Sequence, residues 1–131
     1  MIVVDTNVLA YLYLPGKLSS AAEALFLRDS EWAVPRLWRS EFRNVLATYM
    51  RRELLTYGDA FSIYRKAEAL VAGTEHDVGA GDVLRLAKDS GCSAYDCEFV
   101  ALAEHLDVTL ISEDARLCKA FPRRAVPLSE V

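Results

Sequence analysis

Ile2-Val3-Val4-Asp5-Thr6 decides how the rest of the chain is read. Ile2 to Val4 is a β-branched run without polar alternation, which predicts a strand buried on both faces, as at the centre of a parallel sheet. Asp5 ends the run. Thr6 is then expected to cap a helix through Asn7, Val8, Leu9, Ala10, Tyr11, Leu12 and Tyr13, which stops before Pro15-Gly16. That order puts Asp5 at the carboxyl end of a central strand, where open α/β sheets place their ligands. A capping or turn aspartate is the alternative, and other carboxylates converging on Asp5 would decide against it.

The pattern repeats along the chain. Residues 18–28 carry Ala21, Ala22, Ala24, Leu25 and Phe26 at helical spacing, with Ser19 or Ser20 near the start. Trp32-Ala33-Val34 predicts a second buried strand. Pro35 is expected as the first residue of a helix over 35–52. Further helices are expected over 56–71, 79–88 and 93–106, and a short one over 115–120. Thr74 to Val78 is a weak strand, 108–111 a strong one, and Ala125-Val126-Pro127 a last strand whose proline suits a sheet edge. Strands alternating with helices imply a parallel sheet covered on both faces.

The 131 residues suit a single domain over 1–131, and 53% hydrophobic content is enough for a sizeable core. No apolar run approaches the ~18 residues of a membrane span, so a cytoplasmic protein without membrane association is expected. Cys92, Cys97 and Cys118 have no metal-binding spacing and fit unreactive thiols in a reducing compartment. With a net charge of −4, nucleic-acid binding would need a local basic surface or cations held by acidic groups.

Four carboxylates stand in unusual places. Glu41 falls inside the apolar stripe of its helix, with Leu37, Trp38, Asn44 and Val45 as neighbours and no cation in reach. Its alternative is a stripe-edge residue reaching solvent. Asp96 opens a helix on its packed side, with Phe99 and Val100 beside it; a Ser93-Asp96 capping box is the alternative. Asp114 follows the carboxyl end of the 108–111 strand and could instead cap the next helix. Glu98 is expected at the surface. Each alternative is reasonable alone, but with Asp5 all four carboxylates are placed to meet at one rim. Packed together they repel one another, and divalent cations would remove that cost. An oxygen-only donor set favours Mg2+ or Mn2+, and such a site suits phosphodiester hydrolysis. No phosphate-binding glycine loop is present, and His76 and His105 are no evident acid–base pair.

These residues carry a resemblance. Ile2-Val3-Val4-Asp5-Thr6-Asn7-Val8-Leu9, Ser40-Glu41-Phe42-Arg43-Asn44-Val45-Leu46, Ser93-Ala94-Tyr95-Asp96-Cys97-Glu98-Phe99-Val100-Ala101-Leu102-Ala103 and Leu110-Ile111-Ser112-Glu113-Asp114-Ala115-Arg116-Leu117, in that order, resemble PIN-domain ribonucleases, in particular VapC toxins of type II toxin–antitoxin systems. The resemblance implies a three-layer α/β/α sandwich around a mainly parallel five-stranded sheet. It implies that Asp5, Glu41, Asp96 and Asp114 hold one or two Mg2+ or Mn2+ ions for RNA cleavage. Thr6, Asn7 and Ser112 match positions beside that pocket, and Glu98 and Glu113 are auxiliary carboxylates at most. A further acidic residue, found in some relatives shortly after the Asp114 position, is absent here. The resemblance also implies a small VapB-type antitoxin partner and a homodimer, for which the 56–71 helix and Leu9 to Leu14 are candidate contacts, with core packing as the alternative for both. The clustering of Arg36, Arg39 and Arg43 suggests substrate-phosphate contacts, with a solvated helix face as the default alternative. A catalytically inert PIN-fold module binding RNA or protein is the rival reading.

Overall fold

The computed structural model describes residues 1–131. Five strands form one sheet: β1 (Ile2–Val4), β2 (Trp32–Pro35), β3 (Glu75–His76), β4 (Leu110–Ser112) and β5 (Ala125–Pro127). Their spatial order is β3-β2-β1-β4-β5, and every pairing is parallel. The chain moves outward from β1 through β2 to β3, then returns to add β4 on the other side of β1. The gap between β1 and β4 is therefore where the strand order reverses, the place such sheets reserve for a ligand.

Seven helices connect the strands: α1 (Thr6–Tyr13), α2 (Ser19–Arg28), α3 (Trp38–Arg51), α4 (Tyr57–Val71), α5 (Ala80–Ser90), α6 (Ala94–Leu106) and α7 (Ala115–Ala120). The pleat divides them into two layers. Val4, Trp32, Val34 and Ile111 point to one face, packing under α1 to α4. Val3, Ala33, Leu110 and Ala125 point to the other, packing under α5 to α7. Adjacent strand residues thus serve opposite cores, which explains strand sequences that are apolar throughout. The expected three-layer sandwich is present, with an all-parallel sheet. None of the helices is long and apolar enough to cross a membrane.

Two helix starts differ from expectation. Asp5, not Thr6, is the N-cap of α1: its Oδ1 accepts the Val8 N–H at 3.0 Å. Thr6 is already helical and buried, with its hydroxyl free for another contact. Pro35 does not open α3 but ends β2, paired with His76. Val34 and Arg36 donate to the Thr74 and His76 carbonyls, so Pro35 sits at the alternate position, from which β3 needs no donor. A turn at Arg36 and Leu37 intervenes, and Arg36 lies before the helix rather than on it. The outer strand is shorter than expected, and β4 runs to Ser112, which places that side chain within the sheet.

Candidate active site

Asp5, Glu41, Asp96 and Asp114 line one cavity of about 230 Å³, together with Thr6, Asn7, Asn44, Val45, Phe99 and Leu117. It lies at the carboxyl ends of β1 and β4, where the sheet order reverses. Each carboxylate arrives on a different element: the end of β1, the first turn of α3, the first turn of α6 and the turn leading from β4 into α7. No lysine, arginine or histidine forms an ion pair with any of them.

Local hydrogen bonds orient them. The Ser112 hydroxyl donates to Asp5 Oδ2 while Val8 N–H occupies Oδ1, so both Asp5 oxygens are held. Thr6 Oγ1 donates to Glu41 Oε1 at 2.7 Å and ties α1 to α3. Asp114 caps α7 through Oδ1 alone, which accepts from the Arg116 and Leu117 N–H groups at 3.0 and 3.1 Å. Ser93 caps α6 by accepting the Asp96 N–H at 3.0 Å. For Asp5, Asp114 and Ser93 the capping alternatives from the sequence are therefore correct as well. Capping and convergence coexist because a helix start at the sheet's carboxyl edge delivers its cap to that edge.

The site's electrostatics are unfavourable to charge. Burial raises the pKa of Asp5, and the charges on Asp114 and Asp96 add to the rise, against the bonds from Ser112 and Val8. Burial raises Glu41, reinforced by Asp96, Asp5 and Glu98 and opposed by the Thr6 hydroxyl. Burial raises Asp96 also, opposed by its hydrogen bond with Ser93, with Asp114 adding and Arg116 opposing. Glu98 corrects an expectation: it is half-buried, not a surface residue, and burial raises its pKa too. A group of carboxylates pushed toward protonation with no ion-pair partner is a site with unmet demand for positive charge.

The other expected site residues divide. Thr6 and Asn7 line the cavity, and Ser112 lies fully buried behind Asp5. Arg36, Arg39 and Arg43 do not line it. Arg36 pairs with Glu75 and Asp77; Arg39 pairs with Glu75 and Glu68. Those guanidiniums are committed to protein carboxylates, which corrects the expectation that they face substrate phosphates. Arg43 forms no ion pair and borders a separate groove. Asn44, named from the sequence only as a neighbour of Glu41, also lines the cavity, since three residues along a helix put both on one side.

A family model described as PIN domain matches residues 2–121. Ribonuclease VapC3 of Pyrobaculum aerophilum is 31% identical over 130 residues, covering 96% of this chain and 98% of its own. The fold is that of FitAcB from Neisseria gonorrhoeae, with a TM-score of 0.77 at 19% identity and full coverage of both chains. A toxin–antitoxin complex from Klebsiella pneumoniae gives 0.72 at 17% identity, again with both chains fully covered.

Proposed function

The chain belongs to the PIN-domain family, and we propose on that footing that it is a metal-dependent endoribonuclease, the toxin of a VapC-type toxin–antitoxin pair. The observation that carries the proposal is the one cavity that Asp5, Glu41, Asp96 and Asp114 line together, none of them in an ion pair. The full-length similarity to a ribonuclease of that type supports the choice of RNA as substrate.

The donor set fits a hard divalent cation, Mg2+ or Mn2+: every donor is a carboxylate or amide oxygen or a hydroxyl, with no thiol or imidazole lining the cavity. No three acidic, histidine or cysteine side chains stand close enough to ligate one ion together. Mg2+ commonly takes one or two protein carboxylates and keeps much of its water. Asp5 and Asp96 would hold the ion directly, with Glu41 and Asp114 completing the site through bound water. The chemistry such an ion supplies when bound is a lowered pKa for water and charge for the scissile phosphate.

The chain's own residues contribute orientation. Ser112 and the Val8 N–H fix Asp5, and Thr6 fixes Glu41, so neither has to be ordered when substrate arrives. Asp114 keeps Oδ2 free of the capping bonds, available to the cavity. Asn7 and Asn44 present neutral amides at the rim, suited to hydrogen-bonding RNA without adding charge. The proposal extends to a cytoplasmic single domain over residues 1–131 that forms a homodimer and is neutralised by a small VapB-type antitoxin.

The test is cleavage of defined hairpin and single-stranded RNAs by the purified protein with Mg2+ or Mn2+, against EDTA and against Asp96→Asn. Metal-dependent products with 5′-phosphate and 3′-hydroxyl ends, lost in the variant, are expected. Cleavage that survives both EDTA and the substitution would overturn the proposal.

A further inference from the structure

The turn between β4 and α7 is gripped from two sides. Ser112, Glu113 and Asp114 follow one another there, and each makes different contacts. The Ser112 hydroxyl donates to Asp5 and accepts the Asp114 N–H at 3.1 Å. Asp114 lines the cavity and caps α7. Glu113 does neither, and it forms no ion pair. Its carboxylate reaches Ser129 instead. Oε1 accepts the Ser129 hydroxyl at 3.0 Å, and Oε2 accepts the Ser129 N–H at 3.2 Å.

Ser129 is itself held. It belongs to a single 3-10 turn, Leu128–Glu130, that follows β5. Leu128 is 3% exposed and belongs to the same core as Val4, Leu25 and Ile111. Pro127, just before it, pairs with Ser112 across β4 and β5. The Ser129 donors thus sit on a buried anchor, whereas Glu113 and Asp114 belong to neither strand nor helix. Without the Glu113 bonds, that connection would depend on Ser112 and the α7 cap. Asp114 relies on the connection more than Asp5 or Glu41 does. Asp5 has both oxygens held from other residues, and Glu41 receives the Thr6 hydroxyl from another helix. The bonds to Asp114 reach one oxygen only and come from its own helix. Its free oxygen meets the cavity only as accurately as the turn is placed.

We infer that Glu113 is a positioning residue for Asp114, acting through its paired bonds to Ser129. The inference rests on the nuclease reading of the cavity and adds a residue outside the cavity that sets where one of its carboxylates stands.

The experiment follows amide exchange at Arg116 and Leu117, whose N–H groups Asp114 holds, in EDTA and without RNA. Glu113→Ala, Glu113→Gln and Glu113→Ala with Ser129→Ala are compared with wild type, and folding is checked by thermal melting. Glu113→Ala is expected to speed both amides about fivefold, the scale of one hydrogen bond lost from partly exposed surface. Adding Ser129→Ala should change nothing more, because the bonds it removes are already gone. Glu113→Gln should match wild type, since its amide accepts the Ser129 N–H and donates to the hydroxyl. In Mg2+-dependent cleavage, Glu113→Ala is expected to lower kcat about fivefold with KM unchanged, and Glu113→Gln to restore it. Unchanged exchange in Glu113→Ala would overturn the inference and make Glu113 a cap of the 3-10 turn alone. Glu113→Gln as defective as Glu113→Ala would also overturn it, because the charge and not the tie would then matter. If the exchange result holds while no protein cleaves RNA, wild type included, the positioning of Asp114 stands and the nuclease reading falls. If wild type cleaves and Glu113→Ala matches it in exchange and in kcat, the nuclease reading stands and the inference falls.

Discussion

Thr6 Oγ1 donates to Glu41 Oε1 at 2.7 Å, joining residues 35 apart in sequence. The bond fixes the only pocket carboxylate carried on α3, and it opposes the rise that burial imposes on the Glu41 pKa. Thr6→Val keeps the shape and removes the donor. Glu41 then becomes harder to ionise, so the acidic limb of the rate profile is expected to move to higher pH. The rate near pH 8 should suffer less than the rate near pH 6. A parallel drop at all pH values would show that Thr6 acts on placement alone. The stability cost is expected to be small, about 1 kcal/mol, because Glu41 can be rehydrated from the cavity.

The same burial makes the pocket a source of instability whenever no cation is bound. Asp5, Glu41 and Asp96 all have raised pKa values. A carboxylate with a raised folded-state pKa favours the folded form when protonated. Its penalty is absent below the ordinary carboxylate pKa, grows as pH climbs, and is complete above the folded-state value. Asp96→Asn removes one charge while preserving shape and leaving the Ser93 cap on the backbone N–H. In EDTA it is expected to raise Tm by a few degrees at pH 7–8 and to lose that advantage near pH 4. Melting curves across this range check the sign. A variant less stable than wild type at pH 8 would mean that Asp96 makes favourable contacts beyond the cap.

What the sequence could and could not tell follows from the range of the forces involved. Val3 and Val4 belong to opposite cores, and that is visible as an unbroken apolar run. Glu41 is visible because a carboxylate inside an apolar stripe breaks a local rule. Pro35 misled because its two favourable sites, a helix start and a strand position without a donor, look alike until β3 is known to lie alongside. Arg36 and Arg39 misled for the same reason. Glu75 and Asp77 reach them across some 36 to 41 residues, and no spacing along α3 reveals a partner on another strand.

That network gives a test of the arginines. Burial disfavours charge on Glu75, yet its pKa is lowered, chiefly by the Arg39 hydrogen bonds. A depressed carboxylate contributes stability above its ordinary pKa and loses it as pH falls through the folded-state value. Arg39→Gln is expected to lower Tm by several degrees at pH 7, and by less as the pH drops below about 4. RNA affinity in that variant should keep the wild-type salt slope. Arg43→Gln should do the reverse, leaving Tm nearly unchanged and reducing the slope of log affinity against log salt by about one. Equal slopes for all three proteins would show that Arg43 takes no part in RNA binding.

Divalent cations should reverse the instability of the pocket. An ion that binds only the folded chain stabilises it by RT ln(1 + [L]/Kd), about 2.7 kcal/mol at a hundredfold excess over Kd. Titration with Mg2+ or Mn2+ is expected to raise the Tm of the wild-type protein progressively at pH 7–8. The gain should shrink below pH 5, where protons compete for the carboxylates whose pKa values burial has raised. Asp96→Asn should start higher and gain little, so the two melting curves cross as metal is added. Ca2+, larger and less demanding in geometry, is expected to stabilise without supporting cleavage, which separates occupancy from chemistry. Parallel metal responses in wild type and Asp96→Asn would place the ion elsewhere, and the four-carboxylate cavity would then need another account of its convergence.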